Sequence, residues 1–195
     1  MSHSSLSTFR LPPGASIAQA QPPQIAAVTP ASNALDVMTD LTLVRAATVA
    51  PGSTLAQAEA DMIHQGVRLL FVVRAMPSVE GIITSGDLHG DRPMRLVSQR
   101  GVKYDELTVE DAMTPLSSID AVDYLTLKHA TVAELADTLV HNGQLHLLIV
   151  EHASATHPAR IRGIISKTQL ERQLGAALPS TEIATSFSEI GRALS

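Results

Sequence analysis

The chain has 195 residues, a formal net charge of −5, 45% hydrophobic and 17% charged side chains, and no cysteine. The missing cysteine excludes disulfides, thiol nucleophiles and cysteine metal sites and fits a reducing cytoplasm; with no Lys/Arg block and only five Phe and Tyr, nucleic acid is not the expected partner. Apolar runs fall short of the roughly 18 residues a membrane span needs, and Met1 to Thr8, mostly Ser before the first charge at Arg10, predicts no secretory signal and no membrane attachment.

Residues 1–33 hold five of the eleven prolines and one charge, so they lack the patterned apolar face that offsets chain entropy and are expected to form a flexible leader. Val49 precedes the turn signal Pro51-Gly52, after which Thr54-x-x-Gln57 has the form of a capping box opening a helix with Leu55, Ala58 and Met62 on one stripe. Gly66 is placed to end it, and Val67 to Val73 is a strand-length apolar run. A short strand, Val79 to Ile83, leads into a second helix at Thr84. Pro93 is expected to start a linker helix through Gln99, stopped by Gly101, within a connecting segment 93–106.

The order then repeats: Thr131-x-x-Glu134 opens a helix with Val132, Leu135 and Leu139, Gly143 stops it, and Leu145 to Val150 and Ile161 to Ile165 are strands. Gly81-Ile82-Ile83-Thr84-Ser85-Gly86-Asp87 is answered by Gly163-Ile164-Ile165-Ser166-Lys167-Thr168-Gln169, and Asp36-Val37-Met38-Thr39 by Asp111-Ala112-Met113-Thr114. The copies therefore span 34–92 and 107–175, with a five-residue insertion in the surface loop Glu151 to Arg160 of the second. Within 176–195, Ile183, Phe187, Ile190 and Leu194 make an amphipathic helix, suited equally to a dimer interface or to docking on its own subunit.

Taken together, the Met-Thr lead-ins, the Thr48 to Pro51 strand-to-turn, the helix ending in Gly and the doubled Gly-x-x-Thr/Ser-x-x-Asp/Gln signature resemble the cystathionine-β-synthase (CBS) domain family, over about Ala34 to Gly175. The resemblance implies an α/β (α+β) fold: a tandem pair, or Bateman module, of two βαββα units related by pseudo-twofold symmetry around a cleft. It also implies a non-catalytic regulatory module, with no required cofactor, that binds AMP, ADP or ATP, forms a homodimer and signals to an unidentified protein partner. The implied ligand contacts are Thr48, Val49 and Ile82 for the base and Thr84 and Asp87 for phosphate and ribose.

Independently of the family, Gly81 would admit close backbone approach, Thr84 offers a hydroxyl at a helix start, Asp87 is an acceptor suited to ribose hydroxyls, and Arg68 could neutralise a phosphate. Both signatures also read as capping boxes that need no ligand. Gln169 replaces the signature aspartate, so at most one high-affinity nucleotide per chain is expected, in the first repeat, and the Ser166/Gln169 cleft stays open as empty, weaker or structural. Phe71 is expected to fill core volume. His141, His146, His152 and His157 match no common metal spacing, so no metal site is expected. Neither a Walker A loop nor a Gly-x-Ser-x-Gly elbow occurs, and no enzyme is expected. The alternative function is a dimerisation or adaptor scaffold with vestigial clefts; a nucleotide hydrolase is a third.

Overall fold

From a 3₁₀ turn at Ala34–Val37 the chain runs through β1 (Thr39–Asp40) and β2 (Thr48–Val49) into α1 (Leu55–Gln65), β3 (Leu69–Ala75), β4 (Ser78–Thr84) and α2 (Ser85–His89). After α3 (Asp91–Arg100) come α4 (Val109–Ala112), β5 (Thr114–Pro115), β6 (Ala121–Asp123), α5 (Tyr124–His129), α6 (Val132–His141), β7 (His146–Glu151), β8 (Arg160–Ser166) and α7 (Lys167–Leu174). This is a computed structural model, and it describes residues 7–15, 26–154 and 158–179. The C-terminal stripe from Ile183 to Leu194 and His157 lie outside the described residues.

Local signals place the helices. Thr54 and Gln57 close the capping box of α1, Thr131 and Glu134 that of α6, and Gly66, Gly101 and Gly175 end α1, α3 and α7 in the left-handed conformation at φ 66, 65 and 68°. The linker helix starts at Asp91, two residues before Pro93. Helix α5 had no sequence expectation behind it. Thr48 pairs with Phe71 and Ala121 with Leu148, so the second copy carries extra residues between its first strand and Thr131, and Asp123 caps them into a short helix by accepting from the Thr126 N–H at 2.9 Å.

The strands form two four-stranded sheets, ordered β2-β3-β4-β5 and β1-β8-β7-β6. In each, a parallel pair (β2/β3, β6/β7) continues into an antiparallel one (β3/β4, β7/β8). Alternate residues of β3 explain its unbroken apolar run: Leu70 and Val72 face α1, α2 and α4 in one core, while Leu69 and Phe71 meet Leu148 of the other sheet in a second. Leu147, Ile149, Ile165 and Leu170 pack under α5 and α6 in a third. The molecule is thus a mixed α/β pair of equivalent halves with facing sheets.

The halves exchange their lead-in segments. β1 pairs antiparallel with β8, and Ala34 and Val37 are buried in the second repeat's core; reciprocally β5 pairs with β4, and Leu107, Val109 and Ala112 are buried in the first repeat's core. Bridges Asn33 to Thr131 and Thr54 to Thr108 repeat the same reciprocity. By sequence each segment stands with its own copy; in space it completes the other.

Part of the expected leader is also structured. Residues 26–33 lie against the second repeat: the Val28 N–H donates to the Gln173 carbonyl at 3.0 Å, Pro30 and Ser32 carbonyls accept from Ala133 and Val132 at 2.9 Å, and Val28 is 9% exposed. Backbone hydrogen bonding to the open start of α6 holds this stretch where composition alone offers no apolar pattern. Residues 7–15 are exposed.

Candidate functional site

A cavity of about 400 Å³, within the range of small-ligand sites, lies between the repeats. One wall is the start of α7 and the end of β8: Ile164, Ser166, Thr168, Gln169 and Arg172. Facing it are Thr39 and the β1–β2 connection (Leu41, Val44, Arg45, Ala46, Ala47), then Gly66 to Leu69 with Phe71, and His146 of β7. The exchange of lead-in segments creates this enclosure, because it carries Thr39 to the second repeat's sheet before the chain returns to the first. Thr39 Oγ1 donates to Gln169 Oε1 at 3.5 Å across 130 residues of sequence.

The two signature helices differ in how they are capped. Asp87 accepts from the Thr84 N–H at 2.8 Å and the Thr84 hydroxyl at 2.7 Å, and donates its own N–H to Thr84 Oγ1 at 3.2 Å. Arg92, fixed by the Met113 carbonyl at 2.7 Å, approaches the other carboxylate oxygen at 3.9 Å. Ser166, in contrast, makes no side-chain cap bond to α7 and lines the cavity. The open cleft is therefore at the second repeat's helix, where Gln169 stands, and the first repeat's helix start is engaged with its own chain.

Of the sequence-predicted contacts, Arg68 lines the cavity. Thr48 follows the lining residue Ala47 and is half-buried, Val49 is 5% exposed in the helix–sheet core, and Ile82 lies in the core between the sheets. Thr84 and Asp87 form the cap just described. Gly81 sits beneath β5: a Cβ there would overlap the Thr114 carbonyl oxygen and come within 3.1 Å of the Pro115 Cα, so the close approach this glycine admits is that of the second repeat's lead-in strand. Phe71 is 2% exposed and backs the cavity from the core between the sheets.

Arg45, Arg172 and His146 were not singled out as ligand contacts. Arg172 carried a usable signal, since it follows Gln169 by three residues and so shares its helix face; Arg45 carried none. Burial lowers the His146 pKa from its ordinary value of 6.5, nearby Arg68 lowers it further, and Asp87 partly offsets both. Among the described residues no three His, Asp or Glu side chains gather as a metal set, and His152 pairs instead with Asp123 at 3.3 Å. No helix of the described residues is long and apolar enough to cross a membrane.

No family model and no curated protein matches the sequence. Among solved structures, an uncharacterized conserved protein from Pyrococcus horikoshii is 20% identical, with a TM-score of 0.54 over 79% of this chain and 100% of that one. The CBS domain pair of protein MJ0100, in complex with 5′-methylthioadenosine and S-adenosyl-L-methionine, is 18% identical, with a TM-score of 0.50 over 75% of this chain and 98% of that one. Protein MJ1225 from Methanocaldococcus jannaschii, likened to g-AMPK, is 19% identical, with a TM-score of 0.51 over 72% of this chain and 49% of that one. The fold of this chain is that of a tandem CBS-domain pair, a Bateman module.

Proposed function

We propose that the chain is a non-catalytic regulatory module that senses an adenosine-containing nucleotide in the cleft between its repeats. The observation that carries this reading is the cavity of about 400 Å³ at the start of α7, lined by aliphatic side chains, three Ser or Thr residues and three arginines. Aliphatic walls suit a flat base, and hydroxyls and guanidiniums suit ribose and phosphate. The CBS pair of MJ0100 is in complex with two adenosine-type molecules, which supports the same ligand class here. AMP, ADP and ATP are the proposed ligands, a homodimer in the cytoplasm the proposed assembly, and a protein contact the proposed output.

Such a module responds only as far as ligand binds two arrangements unequally. Because the cleft is built from both repeats and an exchanged lead-in, its occupancy acts on the angle between the sheets. One observation favours the adaptor alternative: the Asp87 carboxylate is held in its own helix cap.

Calorimetric titration of the full chain with AMP, ADP, ATP and S-adenosylmethionine, with native mass spectrometry of the same samples, tests the reading. Saturable binding by at least one of them, with a change in assembly or collision cross-section, is expected. No binding by any favours the scaffold, and turnover of ATP to product would assign the chain to the enzymes instead.

A further inference from the structure

We propose that the cleft at the start of α7 selects by negative charge, taking a nucleoside with two or more phosphate-type charges and discriminating against a sulfonium nucleoside. The proposal rests on the adenosine-ligand reading and narrows it. Arg45, Arg68 and Arg172 reach this one cavity from three separate places, the β1–β2 connection, the lead into β3, and α7. Among the described residues none of the three makes an ion pair, and no Asp or Glu lines the cavity, in a chain whose net charge is −5. Three cationic side chains on one cavity with no carboxylate in its lining repel one another, and an anion bound there reduces that repulsion.

The repeat supplies an internal comparison. At the 82-residue offset of the signature, Gln169 and Arg172 of α7 stand where the first copy has Asp87 and Gly90. The second helix has thus exchanged a negative charge for a neutral amide and added a positive one on the same face. Its cap is open as well: Ser166 makes no cap bond, whereas Thr84 is closed by Asp87. The helix that lost the signature acid borders this cavity, and the charge of the lining suits a polyanion better than a neutral ribose diol.

The test is titration of the full chain with adenosine, AMP, ADP, S-adenosylmethionine and inorganic pyrophosphate, at low and high salt. Affinity is expected to rise about tenfold with each added phosphate, the size of one charge-assisted hydrogen bond, and to fall with salt because the arginines are solvent-facing. S-adenosylmethionine is expected to bind no better than adenosine. Arg172→Gln, which keeps helix propensity, is expected to weaken ADP about tenfold without lowering the melting temperature. Binding of S-adenosylmethionine or adenosine as tightly as ADP, or an Arg172→Gln variant with unaltered ADP affinity, overturns the proposal. Pyrophosphate separates the two readings: if it binds while no adenosine compound does, charge selection stands and the adenosine reading falls, and if nothing binds both fall.

Discussion

Replacing Gly81 by alanine tests whether the signature glycine serves the exchanged strand rather than a ligand. The added Cβ would overlap the Thr114 carbonyl oxygen and lie 3.1 Å from both the Thr114 carbonyl carbon and the Pro115 Cα, all backbone that cannot rotate away. At the equivalent Gly163 the nearest atoms are the Sδ and Cγ of the Met38 side chain at 2.5 and 2.6 Å, with a single backbone contact, the Thr39 carbonyl oxygen at 2.9 Å. Overpacking costs about 1–3 kcal/mol; Gly81→Ala belongs at the upper end, because relief requires β5 to move and with it Leu107, Val109 and Ala112, each 0–1% exposed. Gly163→Ala belongs below it, because its one backbone contact is longer than the overlap at Gly81. For a chain of this size about 3 kcal/mol corresponds to a fall in Tm of roughly 6–12 °C, and about 1 kcal/mol to roughly 2–4 °C. Gly86→Ala is the control: its Cβ meets only Thr84 Oγ1 at 3.5 Å in a helix, so it is expected to stabilise by about 0.5–1 kcal/mol. Urea unfolding of the ligand-free protein measures all three. A Gly81→Ala variant as stable as wild type, or less perturbed than Gly163→Ala, refutes the reasoning.

Asp87→Ala is expected to remove the carboxylate half of the α2 capping box, keeping the bond from the residue 87 N–H to Thr84 Oγ1, and to cost about 1 kcal/mol of stability, roughly 2–4 °C in Tm, while ADP affinity stays within about twofold; a large loss of affinity at unchanged Tm would place the ligand on the first repeat's helix. His146 gives a pH dependence. Its folded pKa is lowered, so the unfolded chain binds the proton more tightly. The stability it contributes is complete above the ordinary value of 6.5 and is lost as pH falls below it toward the lowered folded value, with a limiting slope of about 1.4 kcal/mol per pH unit. Urea midpoints of wild type and His146→Gln across that interval check this, and parallel profiles would count against it.

Local signals account for most of what could be read before the structure. Thr54 with Gln57 and Thr131 with Glu134 close caps over three residues, and Gly66, Gly101 and Gly175 end helices, because each depends on neighbours in the chain. Duplication of those signals sufficed for the paired α/β architecture. The site was less legible: Arg68 was anticipated and lines the cleft, but Arg45 and His146 belong to it only by their positions in space. Composition likewise assigned residues 26–33 to a leader, although Gln173 and the open start of α6 hold them by backbone groups, which every sequence carries.

The amino-acid sequence by itself therefore determined the two repeats, their helices and the apolar runs buried on both faces. Tertiary structure alone decided that the lead-in segments trade places, that Gly81 yields to β5 and that the open cleft faces Gln169. The reason is distance along the chain: Thr39 meets Gln169 across 130 residues. Such a pairing is set by which surfaces remain to be covered once local structure has formed, and no neighbouring residue encodes it.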